Sequence, residues 1–184
     1  MKEPHGRHEL KHYINYSDVL QLRARLPFVA APDGNSTDRN GYRVKSLYFD
    51  NFNDKALKEK IDGVDEREKF RLRLYNNDLS FIRLEKKSKR NGICFKESAV
   101  ITEKECRRLL DGDIGVLKEN GSSLCLELYA KMHYQQLRPK NIVDYMREAF
   151  VYPMGNVRIT LDYDIRTRYN VYDFLAAEPV PIPI

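Results

Sequence analysis

The sequence has no apolar run long enough to cross a membrane, since the longest uninterrupted one covers only residues 26–31. A spanning helix needs roughly 20 apolar residues, so we expect no membrane segment. The polar, charged N-terminus argues against a secretory signal. Three cysteines, Cys94, Cys106 and Cys125, are an odd number without CxxC spacing. This pattern predicts reduced, buried thiols in a cytoplasmic protein.

Several common catalytic motifs are also missing. There is no GxxxxGK[ST] phosphate loop and no GxGxxG after a predicted strand. The four histidines, His5, His8, His12 and His133, lack zinc-site spacing with the cysteines. No side chain is marked as a covalent nucleophile. Any chemistry must therefore come from the charged side chains.

What the chain does have is a hydrophobic core and many charges. Of its 184 residues, 42% are hydrophobic and 32% are charged, and there are 12 tyrosines and 8 phenylalanines. This composition excludes wholesale disorder, and the length suits one domain. We expect a single domain over residues 1–174, followed by an extended Pro-rich tail over residues 175–184.

The positive charge is concentrated in one stretch. Residues 66–96 contain ten lysines and arginines but only four acidic residues, which gives a net charge of +6. The net charge of the whole chain is lower, at +5. A local excess of this kind predicts an anionic partner.

Alternation and turn signals predict a mainly antiparallel α+β fold. The predicted strands cover residues 8–15, 42–50, 68–76, 79–87, 92–101, 137–152 and 156–164. The predicted helices cover residues 17–25, 54–61, 103–110 and 123–136, and the third opens with a capping box at Thr102.

Each predicted strand has one apolar face and one charged face. Because residues two apart share a face of a strand, Lys69, Arg71 and Arg73 lie opposite Phe70 and Leu72. One interpretation is an open antiparallel sheet whose charged face is in water. The other is a tunnel-like barrel with helices outside and charges lining the bore. Confined cations repel one another unless a multivalent anion occupies the space, so the second interpretation predicts a polyphosphate or nucleoside triphosphate with a divalent cation.

Six segments in order resemble the VTC domain: RHELKHYIN, SLYFDN, FRLRLYN, FIRLEKKSK, YMREAF and VRITLDYDI. This is the polyphosphate polymerase domain of the vacuolar transporter chaperone family, within the triphosphate tunnel metalloenzyme (CYTH-like) superfamily. The resemblance implies a β-barrel tunnel that grips a triphosphate and transfers its terminal phosphoryl group to a growing polyphosphate chain. In that family a final strand closes the barrel. Here the sequence ends in the Pro-rich tail, so the resemblance implies a barrel without its last strand.

The resemblance also implies site residues. The implied catalytic residues are Arg71, Arg73, Lys87 and Arg147. The implied phosphate-binding residues are Lys11, Lys96 and Arg158. Mg²⁺ or Mn²⁺ prefers carboxylate oxygens, and the candidate metal ligands are Glu9 and Glu85; a salt bridge to a neighbouring base is the alternative for each.

Three functions remain open. The first is a metal-dependent polyphosphate polymerase that uses ATP, with polyphosphate or pyrophosphate as further partners, or a hydrolase of the same superfamily. The second is a polyanion-binding module without turnover. The third, a nucleic-acid-binding sheet, is disfavoured because the charged faces contain few aromatic residues for stacking on bases.

Overall fold

The computed structural model describes residues 6–34, 41–178 and 182–183, and its centre is one antiparallel sheet of eight strands. The strands are β1 (Ala31–Pro32), β2 (Tyr42–Asp50), β3 (Arg67–Tyr75), β4 (Ile82–Arg90), β5 (Ile93–Ile101), β6 (Arg138–Tyr152), β7 (Val157–Arg168) and β8 (Ile182–Pro183). Their order is β5-β4-β3-β2-β6-β7-β8, and β1 pairs with the end of β6.

Five α-helices accompany the sheet: α1 (Tyr16–Arg25), α2 (Lys55–Ile61), α3 (Glu103–Leu110), α4 (Val116–Asn120) and α5 (Ser123–Tyr134). Three short 3₁₀ helices cover Leu26–Phe28, Met154–Asn156 and Val171–Leu175. The predicted α+β fold with mainly antiparallel strands is therefore confirmed. None of the helices in the described ranges is both long enough and apolar enough to span a membrane.

The main core lies between the sheet and helices α3–α5. Phe70, Leu72 and Leu74 alternate along β3, and all three side chains are buried in this cluster. From the helices, Leu109 and Leu128 complete it. A smaller cluster packs Leu26, after α1, against Phe150 and Leu161 of β6 and β7. The helices thus cover the apolar face that the alternation predicts, and we call this the outer face.

The sheet does not close into a barrel within the described residues. Its order starts at β5 and ends at β8, and no pairing joins these two ends in the ranges given above. The barrel expected from the resemblance is thus not observed as a closed structure, although the predicted helices do lie outside the sheet.

The strand predicted over residues 8–15 is wrong. In the described structure this segment makes only one isolated bridge, between Arg7 and Cys94 on β5, and its side chains are mostly exposed, including Leu10 and Tyr13. Alternation alone did not decide the outcome, because a strand also needs a backbone partner along its length and a core for its apolar face.

The other differences from the prediction are at element ends and in short additional elements. Helix α1 is capped by Asn15 rather than Ser17, because Asn15 and Asp18 form a reciprocal capping box with two 3.0 Å hydrogen bonds. The five-residue helix α4 was not predicted. Strand β7 runs to Arg168, four residues beyond the predicted end.

The segment after β7 packs against the sheet and is hydrogen-bonded to it. Phe174 is buried in the main core, and Lys45 Nζ donates a 2.6 Å hydrogen bond to the carbonyl of Ala176. Of the predicted tail, Ile182 and Pro183 pair with β7 as the short strand β8. Residues 179–181 and 184 lie outside the described residues.

Two leucines of α5 provide a test of this packing. Leu128 has no exposed surface, whereas Leu126 is 45% exposed, although both lie on the same helix. We expect Leu128→Ala to lower the free energy of unfolding by about 2–5 kcal/mol, because it leaves a cavity in the core. Leu126→Ala, the matched control, should change it by less than about 0.5 kcal/mol. Urea unfolding measures both, and equal losses would contradict the packing.

Candidate functional site

The opposite face of the sheet, which we call the inner face, is charged but not fully exposed to water. Arg73 is only 4% exposed and Glu85 only 1%, and Ser46 is also buried. The hydrophobic cluster on this face is built from strand residues alone, among them Tyr42 and Tyr145. The inner-face side chains are therefore buried by one another rather than by a layer of helices.

The carboxylate of Glu85 lies at the centre of this face. Arg71 donates to it through Nε at 2.8 Å and its Nη2 lies at 2.7 Å. Lys96 Nζ is 2.5 Å from the other carboxylate oxygen, Oε1. Arg73 Nη1 is 3.8 Å from Oε2, the oxygen that Arg71 contacts. Burial by itself raises the pKa of Glu85, but Arg71, Arg73 and Lys96 outweigh it and lower the pKa to about 2.

Hydroxyl groups hold the two arginines of β3. Arg73 donates from Nε to Ser46 Oγ at 3.0 Å and from Nη2 to Tyr145 Oη at 3.1 Å. Arg71 donates from Nη1 to Tyr48 Oη at 3.2 Å. Both guanidinium groups are therefore held in place by neighbouring side chains, so a ligand that bound to them would not have to order them first.

A row of three lysines lies beside Glu85. Lys69 on β3 is directly opposite Lys87 on β4, which is directly opposite Lys96 on β5. Glu9, from the segment before α1, forms an ion pair with Lys87. Burial lowers the pKa of Lys87, and the attraction of Glu9 opposes this effect. Like charges directly opposite one another destabilise a sheet, so this row favours a bound anion.

The cations of β6 and β7 form a second group on the same face. Arg147 makes a bidentate pair with Asp162, with both distances at 2.7 Å. Arg158 donates to Tyr42 Oη at 2.9 Å and is paired with Asp33. Burial lowers the pKa of Arg147, but Asp162 more than compensates and raises it.

Tyr145 connects the two groups of cations. Its hydroxyl accepts the hydrogen bond from Arg73, and the Arg147 guanidinium carbon lies 5.2 Å from the centre of its ring. The two groups are thus parts of one surface. Tyr145 lies in β6 at the bulge, where the register of the pairing with β7 shifts.

The structure brings most of the expected site residues together. Around Glu85 and Glu9 lie Arg71, Arg73, Lys87 and Lys96. Lys11 lies in the exposed segment before α1, where its charge acts on Lys69 and Lys87. Arg147 and Arg158 belong to the second group.

Four inner-face residues were not recognised as site residues from the sequence: Ser46, Tyr48, Lys69 and Tyr145. The signal for Lys69 was available, because it lies two positions before Arg71 on the same predicted strand. The tyrosines carried no such signal, since a tyrosine in a strand is equally typical of a core.

The described residues contain no group of three or more His, Cys, Asp or Glu side chains that could hold a metal ion. Glu85 does not fit the metal-ligand role, because three cations surround its carboxylate and would repel a divalent ion. Glu9 is directly paired with Lys87, and the charges of Lys11 and Arg7 also act on it, but it is partly exposed, so it could contribute one oxygen. The donor set therefore does not fit a metal held by the protein alone.

A family profile described as the VTC domain matches residues 6–178, nearly the whole chain. The chain belongs to the VTC domain family. The resemblance of the six segments is thus confirmed. No curated protein matches the chain.

Two solved structures share the fold of this VTC domain. One is a candidate adenylate cyclase from Bacillus halodurans, with 11% sequence identity and a TM-score of 0.50. The other is HpAC1 from Hippeastrum, a candidate adenylyl cyclase reported to have a dominant triphosphatase activity, with 13% identity and a TM-score of 0.51. Each alignment covers 85% of this chain and 70% of the other. At such low identity the likeness shows the fold alone.

The Glu85 cluster predicts a pH dependence of stability. Because folding lowers the pKa of Glu85 from 4.5 to about 2, its contribution is complete above pH 4.5 and is lost as the pH falls towards 2. We expect the stability difference between the wild type and Glu85→Gln to shrink over this window. Urea unfolding at a series of pH values measures it, and a difference independent of pH would show that the carboxylate is not held by these cations.

Proposed function

We propose that this VTC domain binds a nucleoside triphosphate on its inner face and transfers the terminal phosphoryl group to a polyphosphate chain. The observation that carries the proposal is the burial of Arg73 and the half-burial of Arg71 next to the lysine row, on a face without a helical cover. Seven cations lie in or beside this cluster, against two carboxylates, Glu9 and Glu85. The seven are Arg7, Lys11, Lys69, Arg71, Arg73, Lys87 and Lys96. This surplus of five positive charges is comparable with the charge of a triphosphate.

The proposed reaction needs no covalent intermediate on the protein. A terminal phosphate oxygen of the chain attacks the γ-phosphorus of ATP, and the bond from that phosphorus to the β–γ bridging oxygen breaks. The electron pair leaves with ADP, and the chain is longer by one phosphate. Such a transfer depends on positioning and on neutralisation of charge, and the forked guanidinium groups of Arg71 and Arg73 suit phosphate oxygens.

We propose that Mg²⁺ or Mn²⁺ enters as part of the substrate, bound to the triphosphate. A divalent ion there would withdraw charge from the phosphate oxygens. Glu9 is the side chain placed to add an oxygen ligand. Glu85 instead serves as the counter-ion that aligns Arg71, Arg73 and Lys96.

We also propose that the inner face is one wall of a tunnel. The burial of charged groups on this face supports a curved surface, since a flat open face would leave them in water. Within the described residues, two strand edges have no continuous partner: the edge of β5 that faces away from β4, and the first half of the edge of β7 that faces away from β6. These edges are where a closing element would pair.

A cytoplasmic location also remains a prediction. The three cysteines are free thiols, which is consistent with a reducing compartment.

Triphosphate hydrolysis is the second candidate function. It is favoured by the triphosphatase activity reported for HpAC1, which shares the fold. The difference lies in the attacking group, which is water for a hydrolase and a phosphate oxygen for a polymerase. The cationic cradle serves both reactions equally well.

One assay separates these functions. The protein is incubated with ATP and Mn²⁺, and long-chain polyphosphate, free phosphate and bound nucleotide are followed together. Polymer supports the polymerase, free phosphate alone supports the hydrolase, and tight binding without turnover identifies a binding module. Absence of both binding and turnover would contradict the proposed function.

Substitution of the paired arginines tests the site itself. We expect Arg71→Ala and Arg73→Ala each to abolish triphosphate binding and turnover, because each removes a preorganised, charged donor. Arg107→Ala is the matched control, since Arg107 lies on the exposed surface of α3 and pairs only with Glu103 among the described residues. Isothermal titration calorimetry measures binding, and thermal unfolding confirms that each variant is folded. Wild-type affinity in both β3 variants would rule out this site.

A further inference from the structure

Lys69 is the one member of the lysine row for which the described residues offer no carboxylate partner. Lys87 is paired with Glu9, and Lys96 is paired with Glu85. Among the described residues, no acidic side chain lies within salt-bridge distance of Lys69. Its ammonium group instead lies 5.6 Å from the centre of the Tyr48 ring, on the neighbouring strand β2.

The surroundings of Lys69 are crowded with other cations. Lys87 is directly opposite it on β4, and Lys96 is the next residue of the row on β5. Arg71 lies two residues away on its own strand, and the charge of Lys11 reaches it from the segment before α1. Tyr48 is the main group that attracts it. The side chain is also half-buried.

This environment favours the neutral form of the Lys69 amine. Burial lowers the pKa of Lys69 most, and Arg71, Lys11 and Lys87 lower it further, so that it falls to about 8 despite the attraction of Tyr48. A half-buried cation among like charges is costly to maintain. A bound phosphate would relieve this cost, since it supplies the missing negative charge.

We infer that Lys69 is a further phosphate-binding residue of the site, which contacts the triphosphate directly from its place on the Tyr48 ring. The inference rests on the proposed function, because it assigns one more contact to the same bound ligand. Lys69 thereby extends the cradle of Arg71 and Arg73 along β3 by one more position of the same face.

Inorganic tripolyphosphate, without metal, is the probe for this inference. We expect Lys69→Gln to weaken its binding by roughly ten- to a hundredfold, the loss typical of a hydrogen bond between charged groups. Lys69→Arg keeps the charge and should stay within about threefold of the wild type. Lys104 is an exposed lysine of α3, and Lys104→Gln makes the same change in net charge. This variant should bind as the wild type does. Calorimetry at constant salt gives all four affinities.

The pH profile separates a direct contact from a structural role. Binding needs the protonated amine, so wild-type affinity should fall as the pH rises through about 8. Tyr48 also has a pKa of about 8, since the nearby cations Arg71, Lys69 and Arg73 more than cancel the raising effect of burial, and its ionisation would weaken anion binding as well. The comparison is therefore made in the Tyr48→Phe background, which should retain the fall and move it to lower pH. Adding Lys69→Arg to Tyr48→Phe should remove the fall, because arginine stays charged.

Several results would overturn the inference. Wild-type affinity in Lys69→Gln would do so, as would a fall with pH that disappears in Tyr48→Phe or persists when Lys69→Arg is added to Tyr48→Phe. If Lys69→Gln does not fold, the affinity of Lys69→Arg and its pH profile in the Tyr48→Phe background decide. Loss of binding in Arg71→Ala together with unchanged binding in Lys69→Gln would reject Lys69 alone. A wild-type protein that binds no tripolyphosphate would reject the proposed function and this inference together.

Discussion

The main physical constraint on this structure is that the inner face holds positively charged side chains partly or wholly out of water. Desolvated cations repel one another, and a protein tolerates them only with counter-charges or a ligand in place. Glu85 provides the main counter-charge, because its buried carboxylate contacts Arg71 and Lys96 directly and lies near Arg73. The remaining cations exceed the carboxylates, and this excess is the reason for proposing that the face binds an anion.

This constraint also explains the polar character of the neighbouring residues. Ser46, Tyr48 and Tyr145 supply hydroxyl oxygens that accept hydrogen bonds from the two arginines of β3. Apolar residues at these positions would leave buried guanidinium donors unpaired, which is costly. The sheet is therefore filled on both faces, with a hydrophobic core under the helices and an ordered polar layer on the inner face.

Membership of the VTC domain family gives this polar layer its context, whereas the fold neighbours show that the same architecture occurs in proteins of very different sequence. The geometry refines one role that the resemblance implied. Glu85 was expected as a metal ligand, yet its position between three cations suits alignment of these cations instead. Glu9 is more exposed than Glu85, and for this reason it is the carboxylate that we propose as an oxygen ligand of a metal bound to the triphosphate.

The strands from Tyr42 to Ile101 and their two faces could be predicted from the sequence, because a period of two is a local property that Phe70 and Arg71 already display. The charge excess and, through the ordered motifs, the family could be predicted in the same way. That residues 8–15 form no strand could be seen only in the folded chain, since strand formation depends on a distant partner. Tertiary structure likewise decided the partners of Glu85 and the isolation of Lys69 from any described carboxylate. These depend on register between strands, and register is fixed by the packing of the whole sheet rather than by any one segment.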